Sequence, residues 1–578
     1  MTPTLTLTTG QFSDRGRKEI NQDFHGLCIP REPQLSSKGA AIALADGISS
    51  SDVAHIASES AVKSFLDDYF CTSDAWSVRT SAERVLAAIN SWLISQTLRS
   101  PFREDRNRGY VCTFSAVVVK ASTAHLVHLG DSRIYRLRNG ALEQLTNDHR
   151  LIVSETQSYL SRALGMSEAL EIDYHAVPIE EGDVFILATD GIYEFASASF
   201  IIEAVASCPQ DLDAAARRIA DVAGANGSPD NLTIQIARID TLPQGPATSL
   251  HLQLAELPPA PVLEPRMVFD GYRIVREVHG SSRSHIYLAE DGDSGALLVL
   301  KTPSIDLRDD PAYRERFMLE EWIARRINSA HVLKPCPPTR KRNYLYVVTE
   351  YIEGRTLAQW MRDNPAPDLE TVRGIVEQIA RGLLAFHRME MLHQDLRPDN
   401  IMIDGSGTVK IIDFGSTRVA GLAETQPADA LPDILGTAQY TAPEYFLGEF
   451  GSPGSDLFSL GVIAYQMICG RLPYGAEVAK SRTRAAQKKL RYASVLDEQR
   501  EIPAWVDAAL ARAVHPDPAR RYAELSEFTH DLRHPNLALM GQRGPALMER
   551  NPVLFWKGVS LLLAVLVMVL LGANTLRT

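Results

Sequence analysis

Two kinds of periodicity alternate along the first 240 residues. Short apolar runs at 40–45 (AAIALA), 113–119 (TFSAVVV), 124–129 (AHLVHL), 184–188 (VFILA) and 232–237 (LTIQIA) have the length and residue types of buried strands, with helix patterns between them. The runs at 113–119 and 124–129 predict adjacent strands. From Met267 onward, 286–289 (IYLA) and 296–301 (ALLVLK) predict strands, 312–327 predicts a charged helix, and 409–412 predicts a short strand. Residues 241–266 are proline-rich without a sustained apolar period and predict a semi-extended linker. Within that linker, 249–255 (SLHLQLA) alternates clearly enough to allow a peripheral strand.

The carboxyl end breaks both patterns. Residues 559–573 (VSLLLAVLVMVLLGA) carry no charge and join the apolar stretch 552–556 across Lys557. Together they make about 22 residues, long enough to cross a bilayer at about 1.5 Å per residue. A segment apolar on all sides has no polar face to lie on a membrane surface. Arg543, Arg550 and Lys557 precede it and only Arg577 follows, which places the large amino-terminal part in the cytoplasm.

Composition narrows the classes. At 578 residues the chain has room for several domains. Its 59 basic and 71 acidic side chains give a net charge of −12, which disfavours nucleic acid as a partner. The six cysteines show no C-x-x-C spacing and suggest neither a zinc site nor a disulfide framework, in keeping with a reduced, cytoplasmic environment. The first ten residues, MTPTLTLTTG, do not form a secretory signal.

The candidate chemistry of the first 240 residues lies at strand ends. Asp46-Gly47, Gly130-Asp131, Asp190-Gly191 and Asp230-Asn231 each place an aspartate where an apolar run starts or stops. One such pair is ordinary turn chemistry. Four together suit a hard divalent cation, which wants several oxygen ligands and neutralises carboxylates that otherwise repel one another. With Asn21-Gln22-Asp23, Gly130-Asp131-Ser132-Arg133 and the run 160–165 (LSRALG), the order and spacing resemble the metal-dependent type-2C protein serine/threonine phosphatases over nearly all of residues 10–240.

That resemblance implies an α-β-β-α sandwich with a binuclear centre at one end of the sheets. Asp46, Asp190, Asp230 and the carbonyl of Gly47 would hold two Mg²⁺ or Mn²⁺ ions, Asp131 a third and weaker one, and Asp23 would support the attacking water. The family's phosphate-gripping arginine is replaced by Lys18, with Arg17 beside it, so a point charge stands in for a bidentate fork.

The most informative stretch of the second half is His393 to Gly415, HQDLRPDNIMIDGSGTVKIIDFG, with two carboxylates and an amide at spacings suited to phosphoryl transfer. It resembles the catalytic and metal-binding loops of eukaryotic-like protein kinases. By that resemblance Asp395 is the base, Asn400 and Asp413 hold one or two metal ions, Lys301 contacts the ATP phosphates, and Glu320 is its ion-pair partner. Arg397 replaces the lysine that usually contacts the transferred phosphoryl group. Glu350 and Ile352, in the hinge-like TEYI at 349–352, would meet the adenine through backbone groups. The glycine loop is degenerate and keeps only Gly280, among His279, Ser281 and Ser284. Gln394 replaces the arginine that usually pairs with a phosphorylated activation loop. Gly436-Thr437 and Ala442-Pro443-Glu444 resemble the end of the activation segment, with Asp456 bracing the catalytic loop and Arg521 partnering Glu444.

The sequence thus predicts an α+β multidomain chain: a phosphatase-like sandwich at 1–240, a linker at 241–266, a bilobal kinase-like domain at 267–535, a juxtamembrane segment at 536–552 and a single transmembrane helix at 553–574. The implied protein is anchored in the inner membrane with cytoplasmic catalytic domains. It acts on protein serine and threonine and on their phosphorylated forms, itself included, with ATP and Mg²⁺ or Mn²⁺ as cofactors. The alternative is an active phosphatase regulated by a nucleotide-binding pseudokinase domain.

Overall fold

The structure, a computed structural model, describes residues 4–105, 108–154, 157–243, 257–281, 284–304, 310–425, 438–496 and 501–540, with Trp556, Ser560 and Leu563. Its first half is two five-stranded antiparallel sheets packed face to face. One runs Thr6–Asp14, Leu232–Thr241, Val184–Ala188, Arg133–Arg138, Ala141–Gln144, and the other Asp173–Pro178, Thr123–Leu129, Phe114–Lys120, Ala40–Asp46, Asp23–Cys28.

The strand Ala40–Asp46 shows why this sequence makes this layer order. Side chains alternate across a strand, so Ala41, Ala43 and Ala45 face one apolar cluster with the helices Ala54–Cys71 and Val78–Arg99, while Ala40, Ile42 and Leu44 face the opposite sheet with Phe185, Leu187 and Ile239. A strand buried on both faces has no polar alternate positions, hence the unbroken apolar run. The helices Ala198–Ser207 and Leu212–Ala225 cover the first sheet in the same way.

The second half has a small lobe and a helical lobe. The small lobe is the antiparallel sheet Val268–Phe269, Tyr272–Gly280, Ser284–Asp291, Leu297–Pro303, Val347–Glu350, with the helix Pro311–Arg326 beside it. The helical lobe is organised on Leu369–His387, which starts where the Asp368 carboxylate accepts the Thr371 N–H. Its Val372, Ile375, Val376, Ile379, Leu383 and Phe386 recur at helical spacing and form one buried stripe in the lobe's core.

One expectation needs amendment. The end of the linker is docked and not simply extended: Leu345 N–H donates to Pro258 O at 2.9 Å, and Ala260 and Leu263 are buried in the small-lobe core. Burial of these apolar side chains outweighs the freedom that a proline-rich segment otherwise keeps. The candidate strand at 249–255 lies outside the described residues, as does Gly436-Thr437. No helix among the described residues is long and apolar enough to cross a membrane. The expected transmembrane segment 553–574 lies outside them except for Trp556, Ser560 and Leu563.

Candidate active sites

The antiparallel register opposes Asp23 to Asp46, so the first residue of one strand and the last of the next share one end of the sandwich. Asp190 opens the short helix Asp190–Tyr193 at the end of Val184–Ala188, and Asp230 precedes Leu232–Thr241, the strand paired with it. Two glycines are required by crowding. A Cβ on Gly191 would stand 2.0 Å from Asn231 O, and one on Gly47 would stand 2.8 Å from both Gln22 O and Ala54 O. Asn231 ties the loop at 15–22 to this end, accepting the Gln22 N–H at 2.9 Å and donating to Arg15 O and Ile20 O at 2.9 and 3.1 Å.

The carboxylates feel one another. Burial, then the charges of Asp23, Asp190, Asp131 and Asp230, hold the Asp46 carboxyl well above the usual carboxylate range. Burial pushes Asp23 up to about 6 against hydrogen bonds with Thr233, Asp46 and Thr189, and pushes Asp190 up to about 7, with the charges of Asp131 and Asp230 adding to that rise. Cationic side chains answer part of this repulsion. Lys18 Nζ lies 2.6 Å from Asp230 Oδ1 and 2.6 Å from Ser49 Oγ. Arg17 is directed elsewhere, with Nη1 3.4 Å from Gly227 O, so the two residues expected together at the phosphate position separate.

A residue that no motif singled out completes the arrangement. Arg150, at the start of the Arg150–Ser154 strand, donates to Asp131 Oδ2 at 2.6 Å, Asp190 Oδ2 at 2.8 Å and Glu194 Oε1 at 3.0 Å. Its only sequence signal is an acidic neighbour, Asp148, and that carboxylate instead pairs with Arg133. Among the described residues no group of three or more carboxylate, imidazole or thiolate side chains is gathered closely enough to hold a metal ion. The donor set nevertheless fits a hard divalent cation. The charges of Asp23, Asp131, Asp190 and Asp230 raise the proton affinity of Asp46, and Lys18 and Arg150 stand against this set where such a charge would be attracted.

In the second half, the Leu297–Pro303 strand and the Pro311–Arg326 helix bring Lys301 Nζ to 2.7 Å from both Glu320 carboxylate oxygens and 3.4 Å from Asp413 Oδ1. Burial opposes the ammonium charge, but Asp413 and Glu320 hold the Lys301 pKa above its ordinary value. The catalytic loop is held from below by Asp456, a buried carboxylate that accepts the His393 and Gln394 backbone N–H groups at 2.9 and 3.0 Å and bonds His387 Nε2 at 2.9 Å. Asn400 Nδ2 donates to Asp395 O at 2.9 Å and Asp395 Oδ2 at 3.1 Å. Gln394 and Asp413 have φ of 65° and 67°, a left-handed backbone that non-glycine residues rarely adopt and that surrounding contacts must hold. Arg397 lies 3.4 Å from Asp399. Glu444 and Arg521 meet in a buried bidentate pair at 2.7 Å.

At the hinge, Val347–Glu350 pairs with Leu298–Lys301, the Glu350 N–H donates to Lys334 O at 3.0 Å, and the Ile352 side chain is buried. Gly280 differs from the expectation set by a phosphate loop. It ends the Tyr272–Gly280 strand opposite His285 and has no positive φ, and beyond it the Ser281 N–H donates to Ser284 O at 3.0 Å and the Ser284 N–H to Ser281 Oγ at 3.1 Å.

Residues 12–232 match the family model for protein phosphatase 2C, and residues 273–535 match that for the protein kinase domain. The serine/threonine-protein kinase drp72 of Corynebacterium efficiens is 30% identical over 276 residues, covering 46% of this chain and 50% of the relative. Serine/threonine-protein kinase PrkC of Bacillus subtilis is 27% identical over 265 residues, covering 45% and 40%. The chain spans about half the length of the curated relatives it matches. The solved structure of the Mycobacterium tuberculosis serine/threonine phosphatase PstP/Ppp is 25% identical and covers 41% of this chain and 99% of that one at a TM-score of 0.35.

Proposed function

We propose that this chain, which joins a protein phosphatase 2C domain to a protein kinase domain, runs two opposed reactions on protein serine and threonine: phosphoryl transfer from ATP and hydrolysis of the phosphorylated product. The observation that carries the reading is the Lys301–Glu320 pair at 2.7 Å with Asp413 beside it, because an ion pair held at the mouth of two lobes is arranged for a polyphosphate and not for a core.

In the kinase half, Lys301 orients the ATP phosphates and Asp395 takes the proton of the attacking hydroxyl. Asn400, already bonded to Asp395, and Asp413 hold one or two divalent ions, and Arg397 adds positive charge near the transferred group. Glu350 and Ile352 meet the adenine through their backbone. In the phosphatase half, Asp46, Asp190, Asp230 and the Gly47 carbonyl would hold two ions, and Asp131 a third. Divalent ions bound there supply an acidified water and charge for the phosphate oxygens. Asp23 would receive a proton, and Lys18, which contacts Asp230, suits the phosphate contact better than Arg17, which is directed to Gly227 O. Tethering both domains on one chain raises their local concentration toward shared targets, the kinase's own activation segment among them. Residues 553–574 would anchor the chain in the inner membrane, with both domains in the cytoplasm, on the strength of their uncharged run and the preceding Arg543, Arg550 and Lys557.

The test is transfer of label from ATP by the intact chain, Asp395→Ala and Asp190→Ala, with Mg²⁺ and Mn²⁺ compared. Label is expected to accumulate in Asp190→Ala and to be absent from Asp395→Ala. Asp395→Ala should still release phosphate from a phosphothreonine peptide. Absence of label from both the intact chain and Asp190→Ala, with ATP still bound, would overturn the kinase half in favour of a pseudokinase that regulates the phosphatase.

A further inference from the structure

The turn between the helices Ala54–Cys71 and Val78–Arg99 of the phosphatase domain packs against the kinase domain. Ala75, fully buried, belongs to the same apolar cluster as Trp322, Met391 and Val419. Around it polar groups of the two domains meet in hydrogen bonds and ion pairs. Asp74 receives a bidentate bond from Arg326 at 2.9 and 2.8 Å. Ala75 O accepts the Gly421 N–H at 2.9 Å, and Trp76 Nε1 donates to Arg388 O at 3.0 Å. The Glu390 carboxylate accepts from Ser77 N, Ser77 Oγ and Thr80 Oγ1 at 2.7 to 2.9 Å. Glu424 accepts the Val78 N–H at 3.0 Å, and Lys120, only 1% exposed, donates to Gly421 O at 2.6 Å and Glu424 at 3.1 Å.

The kinase residues involved lie on or beside the elements that carry the candidate catalytic residues. Arg326 ends the helix that carries Glu320. Glu390 immediately precedes the Met391–Leu392 strand, which leads into the catalytic loop and pairs with Arg418–Val419 just beyond Asp413. Gly421 and Glu424 continue that segment toward the activation region. A buried Lys–Glu pair is costly unless both partners are satisfied, and here each finds its other bonds across the same contact.

Gly421 carries the argument furthest. It has no positive φ, so its own backbone accepts any side chain. A Cβ there would stand 2.5 Å from Asp74 O, 2.7 Å from Trp76 O and 3.0 Å from Ala75 C, all backbone atoms of the other domain. The three atoms that such a Cβ would meet most closely all belong to the phosphatase domain.

We propose that the phosphatase domain is a built-in docking partner of the kinase domain, clasping the Glu320 helix at Arg326 and the activation segment at Gly421 and Glu424, so that kinase output depends on this contact. The inference rests on the kinase reading of residues 267–535. Its test is Gly421→Ala in the full chain carrying Asp190→Ala, so that dephosphorylation does not mask transfer. Two quantities are read: phosphotransfer to casein, and amide hydrogen exchange over 72–80 and 418–425. Transfer is expected to fall at least fivefold while exchange rises in both segments. Gly374→Ala, whose added Cβ meets nothing within 4 Å, should change neither. As a second variant, Asp74→Arg should lower transfer in the same way, and adding Arg326→Asp should recover at least half of the loss. Transfer by Gly421→Ala equal to or faster than the parent overturns the proposal, as does a charge swap that recovers nothing. A parent that transfers no phosphate at all is a different result, and it overturns the kinase reading itself.

Discussion

Arg150 spans Asp131 and Asp190, its Nε 2.6 Å from one carboxylate and its Nη2 2.8 Å from the other. The guanidinium thereby competes with divalent cations for the oxygens that would bind them. A hydrogen bond to a charged group contributes about 1.5–3 kcal/mol net, and losing one such competitor corresponds to about a tenfold change in an equilibrium. Arg150→Ala should therefore bind Mn²⁺ about tenfold more tightly in a calorimetric titration of the full chain. Equal affinity in the two proteins would show that the guanidinium leaves the site without cost.

The buried Glu444–Arg521 pair predicts a stability effect confined to the kinase domain. Arg521→Met leaves a carboxylate in the core without its partner, at a cost of about 3–5 kcal/mol. Adding Glu444→Leu should recover much of that loss, because two apolar side chains no longer demand pairing. Urea unfolding of the kinase transition distinguishes the two variants. A single mutant as stable as the double would refute the pairing argument.

His125 and His128, on the Thr123–Leu129 strand, give the phosphatase domain a defined acid sensitivity. Burial, then Lys120, lowers His125 to about 3, and burial, then His149, lowers His128 to about 4. In the unfolded chain both take up protons near pH 6.5. Between pH 6.5 and 4 the unfolded state binds more protons, so stability falls as pH falls through that window and is unaffected by these groups above it. His125→Gln should reduce the slope of stability against pH there by about one proton. An unchanged slope would mean that His125 titrates alike in both states.

The membrane reading is tested by deletion. The full chain should sediment with membranes, resist extraction by salt and carbonate, and be released by detergent. The same chain ended at residue 540 should be recovered in the soluble fraction. Both forms found soluble would remove the anchor from the proposed function.

Much of the fold was legible locally. Apolar runs of five to seven residues marked the central strands, most fully at 40–45 where burial on both faces leaves no polar alternation, and the aspartates at their ends were visible as a set. The spacing from His393 to Gly415 and the separation of Lys301 from Glu320 carried the second domain, since motif spacing reflects elements that are themselves local. Arg150 was not legible, since nothing near it in sequence names Asp190 as its partner, 40 residues away. Nor was the hydrogen bonding of Ser281 to Ser284, which depends on the register of a strand pair.

What the sequence determined by itself, then, is which elements form and which chemistry each half carries, because periodicity and motif spacing are properties of neighbouring residues. What only the tertiary structure decided is which distant groups share a site. Val78 and Glu424 stand 346 residues apart and meet across a domain contact whose glycine requirement no local pattern announces. Such pairings are set by shape and charge complementarity between folded surfaces, and those surfaces exist only after each half has built its own core.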